Sequence, residues 1–256
     1  MALRRPVSAL LALLAFATLT AQRDPVLVPE VSQHEVQVRQ GFTGTELLLY
    51  GAILDPQGNR ARVPYDIVVV LKGPTQSILL REKAKAMGMW VNAGSTAYRS
   101  APSFFAVASS RPIDRIVDEK TAAIYELGLD YLQLSPSGAI DPVEQARFTT
   151  GLVDLRQRQR LYQESPQGVS ISGGVLYQAR IALPSNVVTG PYTAETFAIQ
   201  RGRVIASAIA EVEVRKTGFE KLVADRAEDS AMIYGLIVVG LSLLMGWMAG
   251  RLFALI

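Results

Sequence analysis

The sequence predicts a mainly β protein: one or two immunoglobulin-like antiparallel β-sandwiches with a central helical pair, followed by one C-terminal transmembrane helix. Three observations carry this. Short apolar or alternating runs divided by glycine, proline, asparagine and aspartate fill two blocks, one before residue 112 and one after residue 166. Leu183, Pro184 and then Gly190, Pro191, Tyr192 precede a hairpin-like pair of strands, an arrangement like the tyrosine corner of immunoglobulin-like sandwiches. The last stretch, AMIYGLIVVGLSLLMGWMAGRLFALI, holds no charge until Arg251. About 20 uncharged residues at 1.5 Å of rise each cross a hydrocarbon core of roughly 30 Å, and a helix pairs every backbone group within itself.

In chain order, residues 1–21 carry Arg4 and Arg5, an apolar run from Pro6 to Leu19, and the small pair Thr20 and Ala21. This is the layout of a secretory signal peptide, with cleavage expected after Ala21 and an uncleaved anchor as the alternative. Export then proceeds until residues 231–256 stop it, leaving the main domain periplasmic and the C-terminus cytoplasmic at the inner membrane. Arg215, Lys216, Lys221 and Arg226 before the last helix argue the reverse. A long domain behind an export signal is translocated largely regardless of such charges.

Residues 22–112 form the first β lobe, with strands at 36–38, 46–54 and 65–71 and short ones at 77–80, 89–92 and 104–108. Residues 113–165 are helical. A helix over 112–127 turns Ile113, Ile116, Val117, Ile124 and Leu127 to one side, closed by Gly128. A second starts at Asp141 as cap, with Pro142 in the first turn and Glu144 at the capping-box position, and an apolar face of Phe148, Leu152, Leu155 and Tyr162. Residues 166–216 form the second lobe, with strands at 169–172, 175–183, 192–200 and 204–214, the last two joined through Arg201, Gly202 and Arg203. Residues 217–230 are a juxtamembrane helix. Two lobes and one interrupted sandwich both fit this pattern.

Composition narrows the classes of function. The formal charge is +3, and removing Arg4 and Arg5 leaves about +1, which argues against a nucleic-acid partner. The chain has no cysteine and one histidine, His34, so disulfides, thiol catalysis and thiolate metal sites are excluded together. Phosphate loops, dinucleotide glycine patterns, EF-hand loops and zinc helices are absent.

The strings FTGTELLLYGA (42–52), DIVVVLKGP (66–74), GMWVN (88–92), PSFFAVASSRP (102–112), LPSNVVTGPY (183–192), KTGFE (216–220) and YGL (234–236) stand in order along nearly the whole mature chain. Together they resemble an alphaproteobacterial family of single-pass transmembrane proteins of unknown function. The resemblance implies a leader, an exported domain and one C-terminal helix. It also implies work near a permease of the sulfite-exporter type, beside which members are encoded. It brings no site residues.

Candidate sites come from the residues alone. Asp118 with Glu119, and Glu211 with Glu213, are paired carboxylates on exposed faces, with nothing to mark them as acid and base. Met87, Met89 and Trp90 with His34 form the one soft donor set suited to Cu(I), set against Met beside Trp as core filling. Arg156, Arg158 and Arg160 read as a solvated helix face or an anionic-partner patch. Trp90, Tyr98, Phe104 and Phe105 among small polar residues are the candidate interaction surface. Ser242, Gly246 and Gly250 recur every four residues and make a candidate helix-packing face for a homodimer or a polytopic partner. The expected function is a membrane-anchored, non-enzymatic accessory protein without cofactor, partnered by the lipid bilayer and another envelope protein, with a periplasmic ligand or copper binder as the alternative.

Overall fold

A computed structural model describes residues 25–38, 42–54, 64–216 and 231–253. The expected leader, the turn at 55–59 and the juxtamembrane helix at 217–230 lie outside the described residues. The described body is mainly strand, as expected.

The strands, in chain order, are β1 (Val26–Val31), β2 (Glu35–Val38), β3 (Gly44–Leu54), β4 (Asp66–Lys72), β5 (Thr75–Ala86), β6 (Met89–Pro102), β7 (Phe105–Ser109), β8 (Ser135–Pro136), β9 (Tyr162–Pro166), β10 (Val169–Ser172), β11 (Leu176–Pro184), β12 (Gly190–Gln200) and β13 (Arg203–Lys216). Helix α1 (Glu119–Tyr125) and helix α2 (Pro142–Arg158) lie between β7 and β9, and α3 (Ala231–Phe253) follows β13.

Sheet I has the order β1-β3-β11-β10 and sheet II the order β2-β13-β12-β4-β7-β9. Both draw on both halves of the chain: β3 pairs antiparallel with β11, and β4 with β12. The division into separate lobes at 22–112 and 166–216 is therefore replaced by one sandwich with the helical segment inserted. Its physical cause is β4, whose run Ile67 to Leu71 is wholly buried. A strand that is apolar at every position needs cover on both faces and neighbours on both edges.

One face of sheet II meets sheet I, where Tyr177 Oη approaches Thr196 Oγ1 at 3.5 Å. Phe197, the next residue along β12, points the other way and packs its ring 5.4 Å from that of Tyr125. The second cover is thus the segment from Ile113 to Leu134, which buries Ile113, Ile116, Val117, Ala122, Leu127 and Leu129. It is not the single helix expected over 112–127. A 3₁₀ turn at Ile113–Arg115 is followed by a fresh start at Asp118, whose carboxylate accepts from the Thr121 amide. Glu126, in the left-handed region at φ 52°, closes α1 where Gly128 was expected to.

Helix α2 begins as the sequence predicts: Asp141 Oδ1 accepts from the amides of Val143 at 2.9 Å and Glu144 at 3.4 Å. Phe148 and Leu152 are buried. Leu155 is exposed and Tyr162 belongs to β9. The chain turns at Arg160, φ 58°, and runs parallel to β7 instead of continuing the helix.

The tyrosine corner is present. Tyr192 Oη donates to the Val188 carbonyl at 2.8 Å, and burial pushes its hydroxyl up to about 12. Arg201 and Gly202 both have positive φ, as a two-residue hairpin matched to the strand twist requires. The strands expected at 77–80 and 89–92 are instead parts of one long hairpin, β5–β6, turned at Met87 and Gly88 and joined by β8 in a third sheet.

Two substitutions test the packing. Tyr192→Phe removes the corner bond and is expected to cost about 1 kcal/mol in chemical denaturation. At Gly51 a Cβ would stand 2.3 Å from the Val28 carbonyl oxygen and 2.6 Å from Tyr177 Oη. Gly51→Ala is therefore expected to cost more, about 1–3 kcal/mol or above, because a backbone atom is among those that must yield.

Candidate functional site

Strand alternation decides which side chains of sheet I are left for other molecules. Along β3, Leu47, Leu49 and Ile53 point into the core, so Leu48, Tyr50, Ala52 and Leu54 face outward. Along β1 the outward residues are Val26, Val28 and Glu30, and along β11 they are Leu176, Gln178 and Arg180. The register sets Val26 opposite Leu54, and both Val28 and Leu176 opposite Ala52. Outward positions of an antiparallel sheet are ordinarily polar. Here Val26, Val28, Tyr50, Leu54 and Leu176 make a continuous apolar patch, with Leu176 58% exposed.

A shallow groove of about 560 Å³ crosses the patch between Val28, Leu48, Tyr50 and Leu176. Its rim is polar: Glu30 holds His34 at 3.0 Å, and Glu46 stands 3.9 Å from Arg180. An apolar centre with a charged rim is the anatomy of a protein interface.

The second concavity, about 410 Å³, lies on the outer side of sheet II. Its charged centre is the Lys72 ammonium, 2.8 Å from Glu126 and 3.6 Å from Glu195. Glu126 also accepts the Gln133 amide at 2.9 Å. One cation shared by two carboxylates ties α1 to sheet II.

Three members of the expected surface are core residues. Tyr98, Phe104 and Phe105 are fully buried. Tyr98 Oη bonds Thr149 Oγ1 at 3.1 Å, Phe104 lies 5.9 Å from the Tyr192 ring, and Phe105 lies 6.1 Å from that of Tyr162. For Phe105 the cause is again double cover, since β7 is buried at all its positions, whereas Tyr98 on β6 is covered by α2 through Thr149. Trp90 alone is exposed, near the end of the β5–β6 hairpin.

The soft donors are not brought together. Met87 and Met89 are exposed at the hairpin turn, whereas His34 sits on the body beside Glu30. Among the described residues no group of three or more His, Asp or Glu is placed to hold a metal ion. Asp118 is a helix cap, and Glu213 lies 3.6 Å from Arg215. Arg158 pairs with Asp154 at 2.7 Å, Arg156 reaches Gln159, and Arg160 lies beyond the helix, so that Arg158 and Arg160 line one concavity without Arg156. Ser242, Gly246 and Gly250 all lie on α3, with open space beside both glycines and the Ser242 hydroxyl donating to the Val238 carbonyl at 2.8 Å.

Sequence comparison places these features in a family. Residues 26–254 match the family described as "Putative transmembrane protein (Alph_Pro_TM)". The chain belongs to this family. No curated protein matches it. Among solved structures it is similar to AggA, the major subunit of aggregative adherence fimbriae type I from Escherichia coli, at 9% identity and a TM-score of 0.26, over 77% of this chain and 97% of that one. The family's description implies a membrane protein. By the described residues alone, no helix is long and apolar enough to cross a membrane. The helical backbone of α3 itself runs for 23 residues, and side chains at both its ends lie outside the described residues.

The outward assignment predicts a contrast along one strand. Leu176→Glu is expected to change stability by less than about 0.5 kcal/mol. Ile181→Glu, inward on the same strand, places an unpaired charge in the core and is expected to cost more than about 3 kcal/mol. Thermal denaturation of the two variants checks the register.

Proposed function

We propose that this protein is a membrane-anchored accessory protein of the cell envelope, which acts by holding a partner rather than by catalysis. The leader exports the β-sandwich, residues 231–256 cross the inner membrane, and the outer face of sheet I docks on an envelope protein. A transporter of the sulfite-exporter type is the partner that the family resemblance suggests.

The observation that carries the reading is the apolar patch of Val26, Val28, Tyr50, Leu54 and Leu176 on the outer face of sheet I. The protein's own helical segment covers the outer face of sheet II over β4 and β12, leaving Ile209 on β13 exposed, and sheet I has no such cover among the described residues. Burying five side chains of this size against a complementary surface supplies several kcal/mol, at about 25 cal/mol per Å². Anchoring draws support from family membership and from the uncharged run of residues 231–250. As an α-helix the 20 uncharged residues of that run would span about 30 Å, the thickness of a hydrocarbon core.

Two experiments test the reading. A transporter subunit that co-purifies from native membranes with the wild type is expected to be lost from both Val28→Asp and Leu176→Glu, with each variant still folded and membrane-bound. Undiminished retention by both variants would remove the patch from the account. For topology, a reporter active only in the cytoplasm is expected to work when fused after Ile256 and to fail when fused after Val214; the reverse pattern contradicts export.

A further inference from the structure

The β5–β6 hairpin leaves the body at the end where the chain itself leaves for α3. Lys72, the last residue of β4, stands opposite Thr193, which stands opposite Glu211; Gly190 stands opposite Val214. The C-terminal ends of β4 and β13 therefore lie at one end of sheet II, separated by β12 and so by about 10 Å. The ladder does not stop at Lys72. Gly73 donates to the Phe104 carbonyl at 2.8 Å, Ser103 donates to the Pro74 carbonyl at 2.9 Å, and Thr75 then pairs with Pro102. The hairpin continues β4 and β7 out of the sandwich.

Its outer half projects away from the sandwich, and only Lys83 at its base lines a concavity with α2 among the described residues. Residues 83–93 are exposed on both faces, and the turn carries Met87, Met89, Trp90 and Val91, with Met89 67% and Trp90 69% exposed. Lys83 and Lys85 are exposed on the same outer half, Lys85 directly opposite Trp90. Glu82, next to Lys83 in the chain, is engaged by Arg147 at 3.1 Å. The outer half therefore combines an apolar tip with two exposed cations.

We infer that this tip dips into the surface of the bilayer beside the C-terminal helix, with Met87, Met89, Trp90 and Val91 at the headgroup level and Lys83 and Lys85 on anionic lipid phosphates. The inference rests on the reading of residues 231–256 as a membrane anchor. Reach permits it: β5 has 12 residues, or roughly 40 Å of strand, and the chain of about 14 residues between Lys216 and Ala231 spans at most roughly 50 Å. Chemistry favours lipid over protein. A protein partner selects a flat or concave patch, and the tip from Met87 to Val91 is a narrow two-stranded point. Tryptophan settles at the water–lipid boundary, and lysine stems bury their methylenes while the ammonium reaches phosphate. A hairpin with open edges cannot enter the hydrocarbon, so the insertion is shallow.

Trp90 and Trp247 are the two tryptophans, so Trp247→Phe in the full chain leaves Trp90 as the sole reporter. The chain is reconstituted in phosphatidylcholine vesicles with and without phosphatidylglycerol, each with a brominated counterpart, and vesicle binding is checked by flotation after alkaline wash. The expected result is a blue-shifted Trp90 emission, quenched by brominated lipid and shielded from acrylamide, more strongly when phosphatidylglycerol is present. Lys83→Glu with Lys85→Glu is expected to remove the lipid quenching while flotation persists. A chain that floats but leaves Trp90 open to acrylamide and untouched by brominated lipid overturns the inference and leaves the anchor standing. A chain washed off the vesicles overturns both. Crosslinking of the tip to a second protein copy, without lipid quenching, overturns it in favour of tip-to-tip pairing.

Discussion

Everything in the described body answers one constraint: the run from Ile67 to Leu71 has no exposed side chain and must be covered twice. Cover on one face comes from sheet I, so strands from 26–54 and 169–184 have to assemble there. Cover on the other comes from the broken helical segment, pinned by the Tyr125 ring on Phe197 and by Lys72 between Glu126 and Glu195. Edge pairing of β4 with β12 and β7 completes the burial. A division into two lobes would leave one face of this strand in water, at about 25 cal/mol for each Å² of apolar surface so exposed.

The two sheets differ in what lies outside them, and function follows from the difference. Sheet II spends its own chain on an outer layer. Sheet I carries aliphatic residues at outward positions, where Val28 and Leu176 flank Ala52 across neighbouring strands. Charged rim pairs around an apolar centre suit a docked protein, because the rim keeps the free surface soluble and the centre supplies the contact energy. The exposed hairpin tip at the chain-exit end presents a second and chemically different surface, narrow and cationic.

Legibility followed local chemistry. Asp141 before Pro142 announced the start of α2, the Gly190-Pro191-Tyr192 string announced the tyrosine corner, and the apolar IVVVL run announced a strand. Long-range decisions were not legible in the same way. Strand β9 was hidden because Tyr162 keeps helical spacing with Leu155, and the chain is redirected by Arg160, which takes a left-handed conformation without a glycine to signal it. Strand β1 carries Pro29, which reads as a breaker and is tolerated on an edge strand. Tyr98, Phe104 and Phe105 sit among small polar residues, a composition shared by binding loops and by strands beneath a covering layer; FFAVAS, apolar almost throughout, was the signal for the second. At the apolar patch the signal was present in ELLLYGAIL, whose outward alternate positions Leu48, Tyr50, Ala52 and Leu54 carry no charge.

The central claim, that sheet I presents its outer face to an envelope protein, is tested most directly by site-specific photocrosslinking in native membranes. A photoreactive side chain placed at Leu176 is compared with one at Ile209, an exposed apolar residue on sheet II. The account predicts one dominant crosslinked membrane protein from position 176, repeated when the probe stands at Val28 and absent from position 209. Equal crosslinking from positions 176 and 209, or none from position 176 and position 28 alike, would contradict it.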